Sequence, residues 1–328
     1  MVSGIDWSAT HNKIVTCSHD RNAFVWTYED SSDTWKPALV ILRIDRAAIS
    51  VKWSLDGLKF AVGSSAKCVP VCTYEPANDW WVSKTIRKKI KSTVLCVSFH
   101  PANGQLLAVG SSDFKCRVYS TFTSDVDTEG VSCSPHFQSP KEFGEIYAEM
   151  SCMGWVNAVA WSPSGHTLCY AGHDSSIHFV QFNDGSPVVQ TIRFSSLPIQ
   201  SLLYISERGV LGGGHDFNPL LFGYSDDNNK WEYKRNLEAR KAAAVTTAAT
   251  GSVAAARALF QNKSTRGQDS KNDDDKLWTK HENTITCMQQ ADTSPTDGMT
   301  HVSTTSLDGS LVIWELNNLD IDFAAMKI

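Results

Sequence analysis

Six segments of this chain repeat one short pattern: a run of small residues, a tight turn usually opened by Asp, then a β-branched or aromatic strand. They read IVTCSHDRNAFVW (14 to 26), FAVGSSAKCVPVC (60 to 72), LAVGSSDFKCRVY (107 to 119), CYAGHDSSIHFV (169 to 180), VLGGGHDFNPLLF (210 to 222) and VSTTSLDGSLVIW (302 to 314). With the turn residue as marker, Asp20, Ala66, Asp113, Asp174, Asp216 and Asp308 are each followed six residues later by Trp26, Cys72, Tyr119, Val180, Phe222 or Trp314. A fixed offset inside a recurring unit points to a repeat architecture.

The residues of the unit have physical reasons. Asp at a hairpin corner accepts backbone N–H bonds and tolerates left-handed conformations, while Gly110, Gly172 and Gly214 let backbones approach closely before the turn. The turn therefore sets strand register. Ahead of each marker lies another strand signal, such as SVKWS (50 to 54) or AVAWS (158 to 162). Beyond it lie the outer segments 35–43, 80–87, 188–194 and 230–237, which makes four strands in most units. Four short antiparallel strands repeated radially form a β-propeller blade. The marker spacings are 46, 47, 61, 42 and 92 residues, against about 40 to 45 for a WD-type blade. Insertions are expected at about 120–150 and 238–281. The second holds ten Ala between Ala239 and Ala258 and then a polar run from Ser264 to Lys276, with no alternating apolar strand, so it adds no blade. The fold class expected is all-β, a WD-repeat propeller with six recognisable blades, and residues 1–328 are read as one domain because repeats bury their faces on their neighbours.

Charge and targeting signals narrow the function. A net charge of −5 disfavours a general binder of nucleic acid or anionic membrane. Neither a leader nor an apolar run approaching ~20 residues is evident, so a cytoplasmic protein without membrane insertion is expected. The nine Cys are expected to be reduced, buried thiols. No C-x-x-C pair occurs, and Cys68 and Cys72 have no His at ligand spacing, so neither metal nor cofactor is expected. The pairs His19-Asp20, His173-Asp174 and His215-Asp216 suggest a hydrolase at first sight, yet each occupies the same repeating turn of a different unit. A triad needs spatial convergence, so these are read as turn groups and the chain as no enzyme.

Two segments remain as candidates for partner recognition. Lys84, Arg87, Lys88, Lys89 and Lys91 place five cations within eight residues, after the aromatic pair Trp80 and Trp81. They suit an acidic peptide through charge steering and bidentate Arg contacts; as plain solvated groups they would only discourage edge pairing. In the late insertion, Ser252 is a candidate N-cap, and Val253, Ala256 and Phe260 share one helical stripe with Leu259 beside it. Such a short helix would draw its stability from a partner; the competing reading is an Ala-rich linker.

The runs WKPALVILRIDRAAISVKWS (35 to 54), NDWWVSKTIRKKIKSTVLCVSFHP (78 to 101) and LLAVGSSDFKCRVYSTFTSDVD (106 to 127) closely resemble the WD-repeat subunit family, subunit 1, of the actin-related protein 2/3 complex. The resemblance continues more loosely through EFGEIYAEM (142 to 150), GWVNAVAWSPSG (154 to 165) and GHDFNPLLFGY (214 to 224). It implies a non-catalytic scaffold in the assembly that nucleates branched actin filaments, at the actin cytoskeleton. Its implied partners are the actin-related proteins and other subunits, the actin filament through the late insertion, and the acidic tails of nucleation-promoting factors. It also implies a seven-bladed ring, of which the first blade is missing here, leaving two apolar faces without their shared neighbour and a gapped ring. A general WD-repeat adaptor, such as a substrate receptor of a ubiquitin ligase, is the alternative that the blade pattern alone leaves open.

Overall fold

The computed structural model describes residues 1–102, 104–127, 137, 141–182, 186–238, 279–291 and 300–316. Twenty-three strands among them form six antiparallel sheets, five with four strands and one with three. These are the six blades, spanning 2–41, 48–86, 94–151, 156–193, 199–236 and 285–315. In each, the first strand lies innermost: Val2–Ser8, Ala48–Trp53, Val94–Phe99, Val156–Trp161, Ile199–Ser206 and Ile285–Gln290 pack one beside the next. They surround a cavity of about 370 Å³ lined by Ser50, Cys96, Asn157, Ser201 and Cys287 among others. Outer strands Thr34–Ile41, Trp80–Ile86, Val188–Arg193 and Lys230–Asn236 fall where the sequence places them. The third blade takes its outer strand, Ile146–Ser151, from the end of the interval read as an insertion. It pairs with Lys115–Ser120 across a register shift at Val118/Tyr119, and its distance from that strand along the chain hides it from a simple count of spacings.

The repeating turn behaves as its residues require, with one difference. The left-handed position is the residue after each marker: Arg21, Lys67, Phe114, Ser175, Phe217 and Gly309, with φ between 56° and 80°. The Asp itself supplies hydrogen-bond acceptors. Asp20 and Asp308 accept from the amides of Asn22 and Ser310 at 3.0 and 2.7 Å, closing the turn. The same group reaches the loop that enters its own blade: Asp113 accepts from the Lys91 amide, Asp216 from Leu197 and Asp308 from Glu282, at 3.0, 2.9 and 2.7 Å. One short side chain thus ties turn and entry loop together. In the last blade, His281 is fully buried, Nε2 meeting Thr304 Oγ1 at 2.6 Å and Nδ1 meeting Ser310 Oγ at 2.8 Å, while Trp314 Nε1 donates to Thr304 Oγ1 at 2.8 Å.

A second repeat fixes the outer hairpins. Tyr28, Tyr74 and Tyr224 donate their hydroxyls to Asp33, Asp79 and Asn229, five residues on, and each acceptor residue is left-handed. Trp35, Trp81 and Trp231 then pack on those tyrosine rings at 5.3, 5.4 and 5.7 Å. Both elements of the hairpin, corner and ring pair, are set by three residues at fixed spacing.

Apolar contact between blades supplies the core. Five buried clusters occupy the five seams between consecutive blades; Val15, Val25, Trp53 and Phe60 lie in the first, and Leu211, Leu221, Ile285 and Trp314 in the last. Polar ties cross the same seams. Asp6 accepts from the Trp53 amide at 2.7 Å and from Lys52 Nζ at 2.8 Å, and the Met288 amide donates to Ser201 Oγ at 3.1 Å. Among the described residues no cluster joins the sixth blade to the first. The outward face of the first blade carries Ile5, Trp7, Leu39 and Ile41, which are 54 to 64% exposed, and that of the last carries the exposed Leu311 and Ile313.

Lys59 is buried completely, and its ammonium donates to Thr121 O at 3.0 Å, to Gly104 O at 3.3 Å and to the Asp127 carboxylate. This buried charge holds residues 121–127 against the second and third blades. Removing one partner of such a pair leaves an uncompensated charge, costing about 3 to 5 kcal/mol. Asp127→Ala is therefore expected to lower the urea midpoint far more than the double replacement Lys59→Met with Asp127→Leu, as equilibrium unfolding would show. His100 gives a pH dependence. Its Nδ1 accepts from the Ala102 amide at 3.1 Å, its Nε2 lies 3.2 Å from Gly165 O, and Trp161 packs edge-on at 4.9 Å. Burial pushes its pKa down to about 4. Because the folded value lies below the unfolded value of about 6.5, the contribution of neutral His100 is complete above that pH and is lost as pH falls toward about 4. His100→Gln should flatten that part of the stability profile.

Candidate functional site

The basic segment forms the end of strand Trp80–Ile86 and the loop that leads from the second blade into the third. Ile86 and Ile90 are buried and anchor that loop, so the intervening Arg87, Lys88 and Lys89 are directed outward and exposed. Lys89 takes a left-handed φ of 60°, which turns the chain sharply. The loop is held rigidly: Tyr119 Oη donates to Lys88 O at 2.7 Å, and the Lys91 amide is the one bound by Asp113.

The five cations are not equivalent. Lys88 Nζ pairs with Glu145 at 2.6 Å and Lys84 with Asp125 at 3.7 Å, all exposed. The Lys88 ammonium holds the Glu145 carboxyl below its ordinary range. Arg87, Lys89 and Lys91 make no ion pair with another described residue and form the free positive part of the patch. The neighbouring aromatic pair divides as well. Trp81 is taken up in the blade, packing on Phe60 and Trp53 at 5.2 and 5.6 Å, whereas Trp80 is exposed and donates Nε1 to Glu75 Oε2 at 3.3 Å.

Next to these cations lies an apolar rim that sequence reading missed. Phe114 O accepts from the Cys152 amide at 2.9 Å, bringing the exposed Phe114 beside the exposed Met153, with exposed Trp155 one step on. Trp155 continues onto His173 at 5.5 Å and His173 onto His215 at 6.1 Å. The signal available in the sequence was a bulky apolar residue directly after the turn Asp, the position that is left-handed here at φ 67°. Cationic and apolar groups side by side suit an acidic segment with one or more bulky apolar residues.

Val253, Ala256, Leu259 and Phe260 lie outside the described residues. The His-Asp pairs are turn groups of separate blades. His215 is engaged with Gln200 at 2.8 Å and Thr284 at 3.0 Å, and Asp216 with the Leu197 amide, so the pair is spent on structure. Of the described cysteines, six are buried, Cys96 is half-buried and Cys287 is exposed, correcting the expectation that all are buried. Cys287 lies on the innermost strand of the last blade, Ile285–Gln290, and lines the central cavity.

The WD domain, G-beta repeat family matches residues 1–27, 82–120, 146–181 and 275–315. "Actin-related protein 2/3 complex subunit 1B" of Arabidopsis thaliana is 44% identical over 325 residues, covering 97% of this chain and 83% of that protein. "Actin-related protein 2/3 complex subunit 1A-B" of Xenopus laevis is 39% identical, covering 100% and 85%. "Actin-related protein 2/3 complex subunit 1" of Schizosaccharomyces pombe is 38% identical, covering 96% and 85%.

Proposed function

The chain belongs to the subunit 1 family of the actin-related protein 2/3 complex, and from that premise we propose that it is a non-catalytic scaffold subunit of that complex. The observation that carries this reading is identity of 38 to 44% sustained over nearly the whole chain, across relatives from plant, frog and fission yeast. In this role the propeller holds the actin-related proteins and other subunits in place, supports nucleation of branched filaments, and resides with the complex at the cytoplasmic actin cytoskeleton. Its activity is exchange of partners.

The basic loop is the proposed contact for acidic tails of nucleation-promoting factors. What supports it is the free charge of Arg87, Lys89 and Lys91 beside Phe114 and Met153, on a loop anchored by Ile86 and Ile90. A preformed, outward-facing cluster loses little entropy on binding and steers an anionic partner at long range. Val253, Ala256, Leu259 and Phe260 are proposed to contact the actin filament, a reading that rests on the family resemblance.

Co-elution with the remaining subunits of the complex tests the scaffold role; a chain that never enters the complex would make a general WD-repeat adaptor the better account. For the loop, Lys89→Ala with Lys91→Ala should weaken an acidic activator peptide several-fold at low ionic strength and less at high salt, because exposed charges are screened over about 10 Å at 0.1 M. Lys88→Ala should have the smaller effect, since Glu145 already engages that ammonium. Equal losses for both variants would show that the free cations are not what the peptide reads. Phe260→Asp should reduce filament contact while leaving co-elution intact.

A further inference from the structure

One polar cluster sits at the edge of the seam between the third and fourth blades, where Cys152 is buried. Cys152 lies on the loop entering the fourth blade, Asp174 at that blade's turn, and His178 on the strand Ser176–Gln181 that leaves the turn. Cys152 Sγ is 3.5 Å from Asp174 Oδ1 and 3.7 Å from His178 Nε2, and the ligand atoms of all three lie within 4.8 Å of one another. Ser176 Oγ sits 2.9 Å from His178 Nε2, 2.5 Å from Asp174 Oδ1 and 4.0 Å from Cys152 Sγ. Cys152 and His178 are buried, and Asp174 is half-buried and opens toward the turn face.

We propose that Cys152, Asp174 and His178 bind a single zinc ion, with a water as fourth ligand. The spacing is the first argument. With Zn–S near 2.3 Å and Zn–N or Zn–O near 2.0 to 2.1 Å, a tetrahedron has S···N and S···O edges of about 3.6 Å, and the observed values are 3.7 and 3.5 Å. Charge is the second, because one thiolate and one carboxylate neutralise a divalent cation and leave a half-buried site without net charge.

The surroundings are arranged as such a site requires. His178 Nδ1 is held by Thr191 Oγ1 at 2.8 Å, and Tyr170 stacks on the imidazole at 4.3 Å with an interplanar angle of 11°, so ring and Nε2 are aimed at the cluster. Gly172 keeps the space open: a Cβ there would collide with both Cys152 Sγ and Asp174 Oδ1. Asp174 Oδ2, the second oxygen of the carboxylate whose Oδ1 makes the 3.5 Å edge, is buried with no hydrogen-bond partner, and a cation held by both oxygens would satisfy it. On binding, the thiol S–H breaks, its proton passes to solvent, and a Zn–S bond forms. Among the described residues no other group of three His, Cys, Asp or Glu side chains converges in this way. In the last blade the equivalent space between entry loop and turn is occupied by His281, Asp308 and Ser310, with His281 Nδ1 2.8 Å from Ser310 Oγ and the Ser310 amide donating to Asp308 Oδ1 at 2.7 Å.

The test uses the full chain, incubated with excess zinc chloride and passed through a desalting column in metal-free buffer, with zinc per chain measured by mass spectrometry. Cobalt substitution provides a second readout, the thiolate-to-metal charge-transfer band. One zinc per chain with a cobalt–thiolate band is expected, both lost in Cys152→Ser and in His178→Gln and both retained in Cys287→Ser. Thr191→Val, which keeps every ligand, should weaken zinc about tenfold to a hundredfold and serves if a ligand variant does not fold by circular dichroism. Absence of retained zinc, retention unchanged in the ligand variants, or affinity unchanged in Thr191→Val would each overturn the site and mark any bound zinc as an adventitious ion only.

Discussion

Each four-stranded sheet here has two apolar faces, and a sheet so constructed is stable only when another covers it. Val15, Val25, Trp53 and Phe60 in one seam, and Ala158, Phe179, Tyr204 and Phe222 in another, belong to separate blades and are buried only together. Burying a large apolar side chain contributes about 1.5 to 3 kcal/mol, so a seam of about a dozen such residues outweighs any one hydrogen bond that crosses it. The radial order of the blades, the central cavity and the direction of every loop follow from this requirement. It also explains the ends of the series. Ile5, Trp7, Leu39 and Ile41 on one side, and Leu311 and Ile313 on the other, have the composition of a seam and remain exposed.

Within that frame, polar side chains decide where loops go. The turn Asp of the third, fifth and sixth blades binds an amide of the loop entering its own blade, so turn and loop move as one body. The fourth blade departs from this: Asp174 turns to Cys152 and Ser176. The third blade surrounds its Asp113 with the buried guanidinium of Arg117, which also reaches Glu149 at 2.8 Å. One backbone motif therefore carries different side-chain networks in different blades. Variation at this position is tolerated because the seams, not the networks, provide most of the stability.

The same anchoring creates the candidate surface. A loop of five cations would repel itself if free to move; pinned by Ile86, Ile90 and the Tyr119 hydroxyl, it presents Arg87, Lys89 and Lys91 outward while Lys84 and Lys88 meet carboxylates. Phe114 and Met153 join it only because backbone hydrogen bonding brings the turn of the third blade beside the loop leaving it. Their sequence separation of thirty-nine residues conceals that contact.

The sequence by itself determined the blade count, the turn positions and most strands, because a period-two apolar pattern and a turn residue at fixed offset are local properties. It also marked the basic loop, since five cations in eight residues are visible in one dimension. Strand Ile146–Ser151 escaped it, lying beyond a long polar stretch from the strand it pairs with. Which cations remain free was decided by Asp125 and Glu145, respectively forty-one and fifty-seven residues from their partners Lys84 and Lys88. The convergence of Cys152, Asp174 and His178 was decided in the same way, by an entry loop, a turn and a strand that no spacing rule connects. Contacts of this kind arise from the stacking of whole sheets, and only the folded chain sets the distances between groups that the sequence holds apart.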